Sequence, residues 1–320
     1  MRALILEHGR MRLGDVGVPD RPGECLIRVT MAGICGTDLE LVKGYADFSG
    51  IPGHEFVGVV EHVSRPEDRH WIGQRAVGDI NVGCGACRSC RDGVKEHCED
   101  RQVLGIHERD GAFAEFLTLP AANLHPVPDP VPDAAAVFTE PIAAACRILE
   151  QIAVGPAARV AVMGDGRMGL LIAQVIAAAG APVVLFGKHD ERLRLARGIG
   201  LRAEPSPSGP LPVRDRFDVV VEATGAVNGL ELALGLVRPR GTIVLKSTVH
   251  DAGMMATWPI VVEEITIVGS RCGPFLPALD LLARGDVKVE PLITYTTELR
   301  DHERAFREAA GGLKVLFAIS

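Results

Sequence analysis

The chain has 320 residues, is 47% hydrophobic and 23% charged, and carries a net charge of −7. That length and apolar content suit two packed domains, and the ordinary charged fraction excludes a disordered or low-complexity chain. The acidic balance gives no basic surface for nucleic acid or an anionic membrane.

The first residues, MRALILEHGRMRLGD, have an apolar run too short for a signal peptide, so a cytoplasmic protein is expected. Residues 1–33 alternate apolar and polar positions with Gly and Pro punctuation, which predicts short antiparallel strands. Gly33-Ile34-Cys35-Gly36-Thr37-Asp38 follows, and then Gly53-His54-Glu55-Phe56. A single Cys or His is usually a packed core residue. A Cys with a His-Glu pair and turn glycines suits a soft divalent metal.

Cys84, Cys87, Cys90 and Cys98 form C-x2-C-x2-C-x7-C, with Gly83, Gly85 and Gly93 allowing tight turns. Four thiolates suit a closed tetrahedral structural zinc; a disulfide pair and an iron–sulfur cluster are the rivals. The lobe mixes Arg88, Arg91 and Lys95 with Asp92, Glu96, Glu99 and Asp100, so it presents no nucleic-acid face. Residues 101–128 again read as strands. Ala134 to Pro141 runs into an Ala-rich helix predicted to end near Ile152, with Glu140 before Pro141 either capping a helix or serving a metal.

From residue 159 the pattern becomes strand, helix, strand. The apolar run 159–163 leads into Gly164-Asp165-Gly166-Arg167-Met168-Gly169, then an apolar helix, then Val183-Val184-Leu185-Phe186. G-x-G-x-x-G in that setting is the dinucleotide-binding turn, with the pyrophosphate at the helix N-terminus. Gly180 and Pro182 break the apolar stretch 168–187, so it is not a membrane span. Further strands at 219–222, 242–245 and 265–268 complete a doubly wound parallel sheet, an α/β fold. Pro205 to Pro212 is a surface loop, and the tail after 273 mixes one helix near 277–284 with strand-like ends.

An NAD-specific site carries Asp or Glu at the end of the second strand, to hold the ribose 2′-hydroxyl. Here Gly187 stands there, followed by Lys188, His189 and, further on, Arg192. The absent acid and the positive charges predict NADP over NAD, with a solvated turn that accepts both as the alternative. Thr224, after the 219–222 strand, joins the cofactor-binding candidates.

These motifs, in this order, resemble the zinc-containing medium-chain alcohol dehydrogenase family across nearly the whole chain, and Thr139-Glu140-Pro141 resembles its polyol and sugar dehydrogenase branch. The resemblance implies a GroES-like β-barrel catalytic domain at 1–143 and 273–320, and a Rossmann domain at 144–272. It implies a catalytic zinc on Cys35, His54 and Glu140, with Glu55 behind it, able to enter or leave its shell. Thr37 would pass the proton, and Asp38 would orient His54. Several members carry a histidine where this chain has Glu40, which either relays protons or is solvated. The implied reaction moves a hydride between an alcohol, polyol or sugar hydroxyl and NAD(P), in a homodimer or homotetramer. A zinc-free quinone or enoyl reductase and a non-catalytic nucleotide sensor are the alternatives.

Overall fold

The computed structural model describes residues 1–249 and 257–319. The chain divides into two compact units, Met1–Glu140 with Val289–Ser320, and Pro141–Lys288.

The first unit is built on a seven-stranded mixed sheet. Its path runs Leu124–Pro126, Arg75–Gly78, Glu55–Val63, Cys25–Ile34, Lys314–Ala318, Ile293–Thr297, and Phe116–Leu119 also pairs with Cys25–Ile34. The hairpin Arg2–Glu7 with Arg10–Asp15 lies alongside, as the alternation of residues 1–33 predicts. The core is formed by Leu4, Ile27, Val60, Phe113, Leu119 and Phe317, with Phe113 and Phe317 edge to face at 5.2 Å between centroids. Register matters more than packing for function. Gly33 pairs with Glu55 and Leu316 with Gly33, so Cys35, His54 and Lys314 arrive at one end of the sheet from three strands distant in sequence.

The second unit is a six-stranded parallel sheet in the order Arg202–Pro205, Val183–Gly187, Val160–Met163, Phe217–Glu222, Val237–Leu245, Thr266–Gly269. This is the 3-2-1-4-5-6 order of a doubly wound dinucleotide-binding fold. Val160–Met163 is buried at every position, which is why it reads as a continuous apolar run. Between Arg202–Pro205 and Phe217–Glu222 there is only the loop and one short turn at Val213–Asp215, as the Pro- and Ser-rich composition indicates.

Two parts of the tail differ from the sequence reading. Helix Phe275–Arg284 falls in the second unit, so that unit runs to residue 288 rather than 272. The physical tie is local: the Gln174 side chain accepts from the Lys288 N–H, beyond the exit of this helix, at 2.7 Å, and the Gly273 backbone packs on the Ala143 carbonyl. A further helix, His302–Gly311, buries Ala305 and Ala309 and packs Phe306 edge to face on Phe113; it lies in a polar stretch that the sequence reading leaves without a helix. Among the described residues, no helix is long and apolar enough to cross a membrane.

Candidate active site and dinucleotide turn

Cys35 follows the strand Cys25–Ile34 and is the N-cap of helix Gly36–Val42. Asp38, three residues on, accepts the Cys35 N–H at 2.7 Å, which fixes the turn. Asp38 is fully buried, and its other oxygen stands 3.4 Å from His54 Nδ1, within ion-pair reach but without hydrogen-bond geometry. Burial disfavours the His54 imidazolium, yet the Asp38 carboxylate and the Cys35 sulfur outweigh it and hold His54 well above its ordinary range. Thr37 Oγ1 lies 3.9 Å from Cys35 Sγ.

Donor atoms of Cys35, His54 and Glu55 lie within 4.8 Å of one another. A thiolate, an imidazole and a carboxylate at that spacing fit zinc. Glu140 stands outside this cluster, half-buried in the first turn of helix Thr139–Gln151. Glu40 is exposed and pairs with Lys43 at 2.8 Å, a solvated arrangement. Tyr45 and Asp47 lie in a short turn where Ala46 and Asp47 both have positive φ.

One residue of this region went unnoticed in the sequence. Lys314 is fully buried, and its ammonium is bonded to the Glu55 carboxylate, itself 1% exposed. The same ammonium sits 5.3 Å over the Phe138 ring. A lysine opening the apolar strand Lys314–Ala318 is the signal that was available, because a buried ammonium requires a partner.

In the cysteine lobe the sulfurs of Cys84, Cys87, Cys90 and Cys98 also lie within 4.8 Å of one another. Sulfurs around a tetrahedral zinc stand roughly 3.8 Å apart, from a metal–sulfur distance of about 2.3 Å. The Cys87 N–H donates to Cys84 Sγ and the Cys84 N–H to Cys98 Sγ, both at 3.4 Å. Backbone donors at Ala86 and Cys87 lower the Cys84 thiol to about 7, whereas burial and the neighbouring sulfurs push Cys90 up to about 12. Crowded sulfurs that resist joint ionisation call for a cation among them.

In the second unit, Gly164 has φ +113°, and a side chain there would strike the Ala223 carbonyl. A side chain at Gly169 would strike the Gly164 carbonyl, whereas one at Gly166 would meet nothing within 4 Å. The turn is therefore tight at its ends and open at Gly166, which caps helix Arg167–Ala178, the place a pyrophosphate needs. Thr224 donates to buried Glu222 at 2.5 Å and accepts from the Ala226 N–H at 3.0 Å, which shapes the loop beyond its strand.

The strand end is not as the sequence reading has it. Asp165 sends its carboxylate across to Gly187, and a Cβ at Gly187 would lie 2.6 Å from its Cγ. Asp165 accepts the Lys188 and His189 N–H groups, each at 2.7 Å, and its second oxygen is 2.9 Å from His189 Nδ1. Arg192 is 3.9 Å away. Residue 187 is glycine because Asp165 fills its side-chain space, and a carboxylate does stand at this strand end.

Two family models match the chain: the alcohol dehydrogenase GroES-like domain over residues 21–129 and the zinc-binding dehydrogenase model over 168–284. An L-threonine 3-dehydrogenase of Streptomyces avermitilis is 33% identical, over 98% of this chain and 97% of its own. The chain belongs to the zinc-containing medium-chain alcohol dehydrogenase family. A polyol-acting relative, a D-altritol 5-dehydrogenase of Agrobacterium fabrum, is 32% identical, over 83% of this chain and 82% of its own. Among solved members, a protein from Escherichia coli CFT073 described as a short chain alcohol dehydrogenase, complexed with NADH, superposes with a TM-score of 0.92 at 28% identity, covering 99% of both chains. One from Sinorhizobium meliloti described as a zinc-binding dehydrogenase, bound to NADP, gives 0.89 at 28% identity, covering 99% of this chain and 98% of its own. The family fold is accordingly GroES-like plus Rossmann, and the chain is a zinc- and NAD(P)-dependent alcohol or polyol oxidoreductase.

Proposed function

We propose that the chain oxidises a secondary hydroxyl of a polyol or sugar, or reduces the matching carbonyl, in the cytoplasm. The observation that carries this is half-buried Cys35 with buried His54 and Asp38 at one sheet end, beside Glu55. Zinc, when bound, supplies Lewis acidity that makes a hydroxyl acidic near neutral pH. Cys35 and His54 hold it. Glu140 is the third ligand by resemblance, while the Lys314 contact engages Glu55 behind the site. Asp38 faces His54 Nδ1 at 3.4 Å, and its charge on that side of the ring would leave the other nitrogen for a metal. Thr37 receives the substrate's proton at Oγ1, next to the Cys35 sulfur. Glu40, tied to Lys43 at the surface, is solvated rather than a relay.

The dinucleotide supplies the hydride acceptor. Gly164, Gly166 and Gly169, with Arg167 and Met168 opening the helix, bind its pyrophosphate. Lys188, His189 and Arg192 support NADP as the preferred carrier, with NAD accepted. The chain works as a homodimer or homotetramer. Support comes from the strand Thr266–Gly269, which ends the parallel sheet, and from Trp258, Val261 and Val262 exposed on the short helix before it.

The test is a panel of alcohols, polyols and aldoses offered with NADP and NAD, read as nicotinamide absorbance. Turnover on at least one vicinal diol or aldose, abolished by a chelator and restored by zinc, is the expected result. No turnover with the zinc-loaded protein on any of them overturns the substrate reading. Reduction of quinones or enoyl compounds without zinc would favour the zinc-free alternative.

A further inference from the structure

The strand end of this dinucleotide site carries no acid of its own, and a carboxylate reaches it from a variable position of the intact glycine turn. The usual acid stands at the end of the second strand. Here that position is Gly187, and the carboxylate comes instead from Asp165, in the middle of the glycine turn, 22 positions earlier in the sequence. The two residues require one another: the Asp165 carboxyl occupies the volume that a side chain at 187 would fill.

The groups around that carboxylate are few. Lys188 and His189 donate their backbone N–H groups to one oxygen. The His189 ring and, at 3.9 Å, the Arg192 guanidinium face the other. The Lys188 side chain is exposed, and Asp190 and Glu191 begin the next helix. A carboxylate has about four acceptor directions. Three are used by these hydrogen bonds, and the fourth, beside the Arg192 guanidinium at 3.9 Å on a side chain that is 7% exposed, is the one a hydroxyl would take. The desolvated carboxyl is held below its ordinary range by these donors, so it is anionic at neutral pH.

We propose that Asp165 is the specificity-determining residue of the dinucleotide site, accepting the adenosine ribose hydroxyl of NAD and opposing the 2′-phosphate of NADP. It acts against Lys188 and Arg192, and so keeps NAD usable in a site whose surface cations attract NADP. The proposal rests on the reading of the glycine turn as a dinucleotide site. It also changes the obvious engineering experiment. Gly187→Asp alone would drive two carboxyl groups into one space, whereas Asp165→Gly with Gly187→Asp would return the acid to the strand end.

Direct binding of NADH and NADPH, measured by calorimetry on the zinc-loaded wild type, Asp165→Asn and Asp165→Ser, tests this without reference to turnover. Asparagine keeps the shape and an acceptor for the turn but removes the charge; serine covers the case in which asparagine disturbs the turn. The affinity ratio should move toward NADPH by about tenfold or more, equivalent to about 1.4 kcal/mol, in either variant. The exchanged double variant should bind NADH in preference to NADPH, and Gly187→Asp alone should bind both poorly. An unchanged ratio, or a selective loss of NADPH, would show that Asp165 only braces the Lys188–His189 turn, and the proposal would fall. Wild-type protein that binds neither dinucleotide would instead remove the reading on which the proposal rests, and the proposal with it.

Discussion

Replacing Lys314 by methionine removes the ammonium that faces Glu55 and keeps most of the side-chain volume. Both groups are buried, Lys314 at 0% and Glu55 at 1% exposed, so water cannot take over the lost interaction. Breaking a buried ion pair from one side costs about 3–5 kcal/mol, because the remaining charge stays desolvated. The unit that contains the pair has about 170 residues, for which 1 kcal/mol lowers Tm by about 2–4 °C. The first-unit transition of Lys314→Met should therefore fall by about 6–20 °C. Scanning calorimetry of the zinc-loaded protein resolves it. The companion variant Lys314→Met with Glu55→Leu should recover most of the loss, since apolar replacement of a whole buried pair is often neutral or better. The reasoning fails if Lys314→Met melts with the wild type, or if the double variant is no more stable than the single one.

Other consequences are smaller in scope. Thr37→Ala should keep its zinc and its dinucleotide affinity and lose about 100-fold or more in kcat, the range of a positioned proton-transfer group; retained kcat would remove Thr37 from the proton path. Glu24→Gln breaks the two-pronged contact with buried Arg109, at 2.7 and 2.8 Å. Burial raises the Glu24 carboxyl, but Arg109 outweighs it and holds it below its ordinary value. Its stabilisation is thus present above roughly pH 4.3 and lost as pH falls through the lower folded value. The Tm gap between wild type and Glu24→Gln should be full at pH 7 and narrow in acid; a constant gap would contradict the pairing. Trp258→Asp with Val262→Asp should lower the mass seen by light scattering to half or less, and an unchanged mass would place the subunit contact elsewhere.

Much of this was legible in the sequence because local chemistry wrote it there. Thiolates at fixed spacing and glycines between a strand and a helix leave a mark within a dozen residues. So did the alternation of the first strands and the unbroken apolar run of Val160–Met163, buried on both faces. The features that escaped are those made by register or by space. Lys314 meets Glu55 only because two strands flanking Cys25–Ile34 end together, 259 positions apart in the chain. Asp165 and Gly187 each read correctly as local pattern, a variable turn residue and a missing acid. Their mutual filling of one volume puts a carboxylate at a strand end where the local pattern shows none. Helix His302–Gly311 was missed because it is polar on average and buries only two alanines fully, with Phe306 partly buried beside Phe113.

The central claim is that Cys35 and His54 hold a zinc that the reaction needs, while the cysteine lobe holds another that it does not. Zinc content and turnover, measured together on wild type, His54→Ala and Cys90→Ser, test it most directly. The account predicts two zinc ions per chain in the wild type and one in each variant. Turnover should vanish in His54→Ala, with NADH and NADPH binding intact, and persist in the folded fraction of Cys90→Ser. Full turnover in a His54→Ala protein that has lost one zinc, or zinc content unchanged in both variants, would contradict it.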